Sequence, residues 1–120
     1  MTQTARNQLG ADLEQCIKLC EECHHACLET ITYCLGQGGK HAEAAHIGLL
    51  LDCATICHTS ADFMLRSSPL HGRICAVCAE VCGHCAQDCD QFGDDAQMKA
   101  CADACRRCAD SCRRMATMAA

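Results

Sequence analysis

Aromatic side chains are nearly missing from this chain: Tyr33, Phe63 and Phe92 are the only ones in 120 residues, and there is no tryptophan. All-β cores depend on aromatic and β-branched residues, so a sandwich or barrel is disfavoured. Proline occurs once, at Pro69. Long stretches are therefore free to form uninterrupted helix. An apolar run of about eighteen residues, the length needed to span a membrane, is also lacking. So is an excess of positive charge. The formal net charge of −5 gives no general attraction to nucleic acid or acidic lipid. Arg106, Arg107, Arg113 and Arg114 lie toward the end of the last helical segment, where cations suit the helix dipole. The N-terminal segment has no apolar signal core and no twin-arginine pair, and Cys16, Cys20, Cys23 and Cys27 already interrupt it. A cytoplasmic chain with reduced thiols is expected, and a disulfide framework is not.

What the chain has in excess is cysteine, 16 of 120 residues. Three stretches repeat one spacing, C-x3-C-x2-C-x3-C. They are Cys16, Cys20, Cys23 and Cys27; Cys78, Cys82, Cys85 and Cys89; and Cys101, Cys105, Cys108 and Cys112. Steps of four and three stay on one face of an α-helix. Each stretch is a helix carrying thiols where a bundle normally carries leucine.

Four helices can be drawn in a single domain over residues 1–120. The first covers about residues 4–35, with Gly10 as a possible interruption and Gly36 as its stop. The second covers about 41–67. The third starts at Ser68 and Pro69, read as a cap followed by proline at the first helical position, and ends at Phe92 and Gly93. The fourth starts at Asp94 or Asp95 and runs to about Met118. Short connections make neighbours antiparallel. The expected fold is all-α, an up-down-up-down four-helix bundle with a cysteine-lined core.

The buried seam then takes Leu9, Leu13, Cys16, Cys20, Cys23, Cys27, Thr30 and Cys34 from the first helix. The second gives His46, Leu50, Cys53, Cys57, Ser60 and Met64. The third gives His71, Cys75, Cys78, Cys82, Cys85, Cys89 and Phe92. The fourth gives Met98, Cys101, Cys105, Cys108, Cys112 and Met115. All the cysteines lie on these seams. Sulfur in register around one axis points to a soft metal: Cu(I), Zn(II) or an iron–sulfur cluster. Charge separates them. Zinc on four-thiolate sites would leave the core strongly negative, whereas one Cu(I) per thiolate leaves it neutral. The compact iron–sulfur spacings are absent. Zinc sequestration and an iron–sulfur or thiol redox role remain as alternatives. No acid, base or nucleophile stands apart from the other thiols, so an enzyme is not expected.

Two end layers carry softer or weaker donors. One holds Cys34, His46, Phe92 and Met98. The other holds Met64, His71 and Met115, with Leu13 and Leu9 closing it, and is favoured as the copper entrance. His24, His25, His58 and His84 fall off the seam and are expected to be exposed. Glu21, Glu22, Asp88, Asp103 and Asp110 are expected on the solvated face. Ile47, Leu49, Leu51, Ile56, Phe63 and Leu65 give the second helix an extra apolar face, suited to a contact between bundles.

The repeated C-x3-C-x2-C-x3-C on four helices resembles the bacterial copper storage proteins, in particular their cytosolic branch. The resemblance runs from Cys16 to Cys112. It implies a homotetramer of bundles, each storing many Cu(I) ions on its core thiolates. By position the ligands would be all sixteen cysteines, Cys75 among them, with His71, Met64 and Met115 added by geometry. Copper chaperones or chelators would be the exchange partners. The second helix, with only Cys53 and Cys57, is the weak match.

Overall fold

The computed structural model describes residues 3–118, with side chains described from Gly10 onward. Four helices follow in the order α1 (Gln3–Gln37), α2 (Ala44–Leu65), α3 (His71–Asp90) and α4 (Ala96–Met118), with a short 3-10 turn (Gly39–Ala42) between the first two. No strand occurs among the described residues. Each helix packs on the next and α1 closes the ring on α4, while the backbones of the diagonal pairs stay apart. That gap is the axis of the bundle.

Side-chain register gives the directions. Along α1, Cys16 lies against Cys112 of α4, and Cys23 and Cys27 lie against Cys105. Across α2 and α3, Cys53 meets Cys82, Cys57 meets Cys78 and Ser60 meets Cys75. Across α1 and α2, Cys34 meets His46 and Cys23 meets Cys53. Ascending numbers on one helix meet descending numbers on the next, so these neighbours are antiparallel.

Several boundaries differ from expectation. Gly10 does not interrupt α1, which is one helix of 35 residues. A single glycine costs only about 1 kcal/mol in a helix, too little to split one this long. Gly36 does not stop it either. The helix passes Gly36 and stops at Gly38, whose φ of 71° places it in the left-handed region. The segment from Gly39 to Ala42 forms the 3-10 turn instead of starting α2. At the other end of the molecule Ser68 and Pro69 precede α3 without capping it. The Ser68 hydroxyl accepts from the Leu70 N–H at 3.1 Å, making a local turn, and the helix starts at His71. α3 ends at Asp90, short of Phe92. Asp95 behaves as expected: its Oδ1 accepts from the backbone N–H of Gln97 at 3.0 Å and of Met98 at 3.2 Å, capping α4.

α2 ends in a left-handed residue without glycine. Ser67 has φ 54°. The N–H of Ser68 bonds back to the Phe63 carbonyl at 2.9 Å, closing the helix end. A side chain in this conformation costs roughly 1 kcal/mol. Ser67→Gly is expected to raise stability by up to about 1 kcal/mol. Thermal unfolding of the two proteins checks this; an unchanged or lower midpoint contradicts it.

All sixteen cysteines are buried, none more than 1% exposed. Ala54, Ala61, Ala79, Ala86, Ala102 and Ala109 flank them and are also buried. Small flanking residues let the helices approach closely enough for sulfurs to meet across the axis. Leu13 is half-buried, and Leu9 lies outside the described side chains. Leu51 and Leu65 of α2 are exposed, while Ile47, Leu49, Ile56 and Phe63 are half-buried. The apolar face of α2 is thus partly open. No helix among the described residues is long and apolar enough to cross a membrane.

Candidate metal centre

The axis of the bundle is a column of sulfur. The short separations run mainly between helices: Cys57 to Cys82 at 3.4 Å, Cys20 to Cys112 at 3.5 Å, Cys53 to Cys82 at 3.6 Å and Cys108 to Cys20 at 3.6 Å. Along one helix, Cys78 lies 3.8 Å from Cys82 and Cys108 lies 3.9 Å from Cys112. Same-helix as well as cross-helix neighbours are therefore close enough to share an ion.

Sharing is the decisive feature. Cys20, Cys78, Cys108 and Cys112 converge within 4.8 Å of one another, and so do Cys57, Cys78, Cys82 and Cys108. Cys23, Cys53, Cys57 and Cys82 form a third such set, and Cys23, Cys27, Cys53 and Cys105 a fourth. Cys16, Cys75 and Cys112 close one end. Most of these sulfurs belong to more than one set. Isolated tetrahedral zinc sites do not share ligands in this way. Bridging thiolates do, and a continuous bridged array suits a soft monovalent ion.

The thiols also tune one another. Cys57 is held protonated by the adjoining sulfur of Cys108, Cys105 by Cys101 and Cys112 by Cys108, with burial adding to each. Their neighbours are drawn the other way. Cys53 and Cys101 are lowered by hydrogen bonds from Cys105, and Cys78 by one from Cys108. In the middle of the column, thiols that are raised thus stand next to thiols that are lowered. Toward the α1–α2 turn the alternation ends: Cys85 and Cys89 are both raised, each first by the sulfur of Cys101.

At that end the layer read from the sequence is assembled. Cys34 Sγ lies 3.3 Å from His46 Nε2 and 3.6 Å from Met98 Sδ. Burial pushes the Cys34 thiol up to about 11. Asp88 departs from expectation. It is half-buried rather than solvated and pairs with His46 Nδ1. A carboxylate on Nδ1 fixes the tautomer and turns the Nε2 lone pair toward Cys34. Spacing along the chain does not reveal this pairing, because His46 and Asp88 stand on different helices. Phe92 covers the layer, its ring 4.8 Å from that of His46 and 4.2 Å from that of His41. His41 and Tyr33 both bond Asp95, at 3.0 and 2.7 Å, and tie the 3-10 turn down. The Tyr33 hydroxyl holds the Asp95 carboxyl below its ordinary value.

The opposite end is simpler. Met64 and Met115 are buried at 1% exposure. His71 is half-buried, and its Nδ1 is buried with no hydrogen-bond partner. Ser60 Oγ sits 3.5 Å from Cys75 Sγ, one turn further in. A buried nitrogen with no hydrogen-bond partner is available as a donor to a soft ion. Of the off-seam histidines, His25, His58 and His84 are exposed as expected. His24 is not: it is half-buried, and its Nδ1 lies 2.9 Å from the Ala54 carbonyl.

A four-helix bundle whose core is thiol rather than hydrocarbon, with ligand sets that overlap along the axis, defines a class of thiolate-cored metal-binding bundles. The match to the copper storage protein family covers residues 9–117, and the chain belongs to that family. It is similar to a protein of Nitrosospira multiformis of known crystal structure, with 43% identity and a TM-score of 0.86 over 91% of this chain and 98% of that one. It is similar also to the Cu(I)-bound copper storage protein BsCsp3, with 38% identity and a TM-score of 0.81 over 88% of this chain and 98% of that one. An uncharacterized cysteine-rich protein of Bacillus subtilis, YhjQ, is 39% identical over 67 residues, 56% of this chain. The matched stretch spans 62% of that relative's length.

Proposed function

We propose that this protein stores and buffers Cu(I) in the cytoplasm, many ions per chain, on the thiolates that line its core. The observation that carries this is the sharing of buried sulfurs between overlapping ligand sets. Family membership and the Cu(I)-bound neighbour support the same cargo. All sixteen cysteines are the storage ligands. Metal analysis and absorption spectroscopy of the protein test it. Cu(I)-thiolate is colourless in the visible; a brown protein containing iron would sink the storage reading, and zinc without copper would replace the cargo.

His71, Met64 and Met115 are the acceptor layer through which copper enters. What supports this is that a buried, unpartnered Nδ1 of His71 and two buried thioethers, Met64 and Met115, lie at the same end of the bundle. The other end is covered by Phe92 and the tied-down 3-10 turn. Replacing Met64, His71 and Met115 together by leucine is expected to slow Cu(I) uptake and its removal by a chelator about tenfold or more, with capacity nearly unchanged. Stopped-flow uptake under anaerobic conditions measures it. Equal rates would move the entrance to the Cys34 end, and a large loss of capacity would make the three residues storage ligands. The open apolar face of α2, with Leu51 and Leu65 exposed, supports assembly into a homotetramer. Copper chaperones or small chelators are the exchange partners.

A further inference from the structure

Three imidazoles meet on the outer surface where α1 and α2 pack together, away from the sulfur column. His24 and His58 stand on different helices with ring centroids 5.0 Å apart, and His25 is 5.7 Å from His24. They share a recess of about 310 Å³ with Glu21 and Asp62. Two features of this recess are those of a ligand site.

The first is the tautomer of His24. A carbonyl oxygen can only accept, so Nδ1 of His24 carries the proton that it donates to Ala54 at 2.9 Å. In the neutral ring Nε2 is then left as the unprotonated donor atom. An imidazole fixed by a backbone carbonyl behind it is the usual second partner of a metal-bound histidine. The second is the spacing of His58 and Asp62. Nε2 of His58 and Oδ2 of Asp62 are 3.7 Å apart, too far for a hydrogen bond. Two ligand atoms on one tetrahedral ion with bonds of about 2.0 Å stand roughly 3.3 Å apart, so little movement is needed. Both side chains are free to make it, at 63% and 55% exposure. Glu21, one turn before His24, lines the same recess and offers a further oxygen.

We infer that His24, His58 and Asp62, with Glu21, form an external site for a borderline divalent cation such as Zn(II). Its nitrogen and oxygen donors select a different ion from the thiolates inside. The site lies outside the core and does not depend on the core's cargo.

The test uses protein first loaded to its plateau with Cu(I), so that the thiols are occupied. Zn(II) is then titrated in, while long-range proton–nitrogen NMR reads each imidazole. Copper content is measured before and after. The expected result is one Zn(II) per chain, with ring-nitrogen shifts at His24 and His58 and no copper released. His58→Gln, an exposed change that leaves the fold intact, and His24→Gln should each weaken zinc binding at least tenfold without altering copper capacity. Imidazole signals that stay still up to millimolar zinc would overturn the inference. So would zinc carried by His25 or His84 alone, or unchanged affinity in both variants. Low copper content before zinc is added would instead count against the storage reading, while the imidazole shifts would still report on the outer site.

Discussion

Anaerobic titration with Cu(I) against a competing chelator is expected to plateau near one ion per cysteine, about sixteen per chain. The reason is charge. The core is dry, and uncompensated charge there is strongly unfavourable. Each Cu(I) neutralises one thiolate as it displaces one proton. Four zinc ions on the same sulfurs would leave the core about eight charges negative. A plateau at four or fewer ions would sink multi-ion storage. The sharing of ligands sharpens the expectation. Cys53 and Cys57 are the only thiols of α2, and between them they enter three of the overlapping sets. Replacing both by serine should therefore cost more than two ions. A loss of two or fewer would mean that the other helices bind copper without bridging through α2.

The metal-free, reduced protein is expected to be fully helical, with copper adding stability but little structure. Small zinc domains behave oppositely, because they cannot fold without metal. Here protonated cysteine serves as a small hydrophobe, and the helices are closed by their own caps, as Asp95 closes the start of α4. Circular dichroism under strong reductant should show the same helix content with and without copper. The unfolding midpoint should rise by roughly tens of degrees on loading, since many tightly held ions bind the folded state alone. A random-coil spectrum that turns helical only with copper would contradict this. Cys34 makes one contribution to the pH dependence of the metal-free form. Its thiol is raised by burial from the ordinary 9.0 to about 11. The folded state thus holds this proton more tightly than the unfolded chain. That contribution is full below pH 9.0 and is lost as the pH rises toward about 11. The midpoint of the metal-free protein should fall across this window.

The sulfur column was legible in the sequence because it is a matter of spacing along single helices. Steps of three and four placed every cysteine correctly, and the antiparallel layout placed Cys34, His46 and Met98 in one layer. What the sequence did not show depends on partners from other helices. Asp88 looked like one more surface acid until His46 was found beside it. His24 looked exposed until the Ala54 carbonyl of α2 was found against its ring. The 3-10 turn was missed for a different reason. Gly38 and Gly39 signal a break but not its shape, which is set by His41 reaching Asp95 and Phe92. Ser68 and Pro69 carry the signature of a helix start, yet the serine hydroxyl was used one turn early.

The rod-like proportions of the bundle, 54 × 23 × 18 Å, separate two quantities that a spherical container ties together. The amount held grows with the length of the helices, since every further turn contributes another ring of sulfur. With entry at the bundle end, as proposed, the rate of exchange would be set by the width of the mouth, which stays the same. Longer relatives of such a rod would hold more copper and take longer to fill, whereas oligomers of short rods would multiply mouths and capacity together.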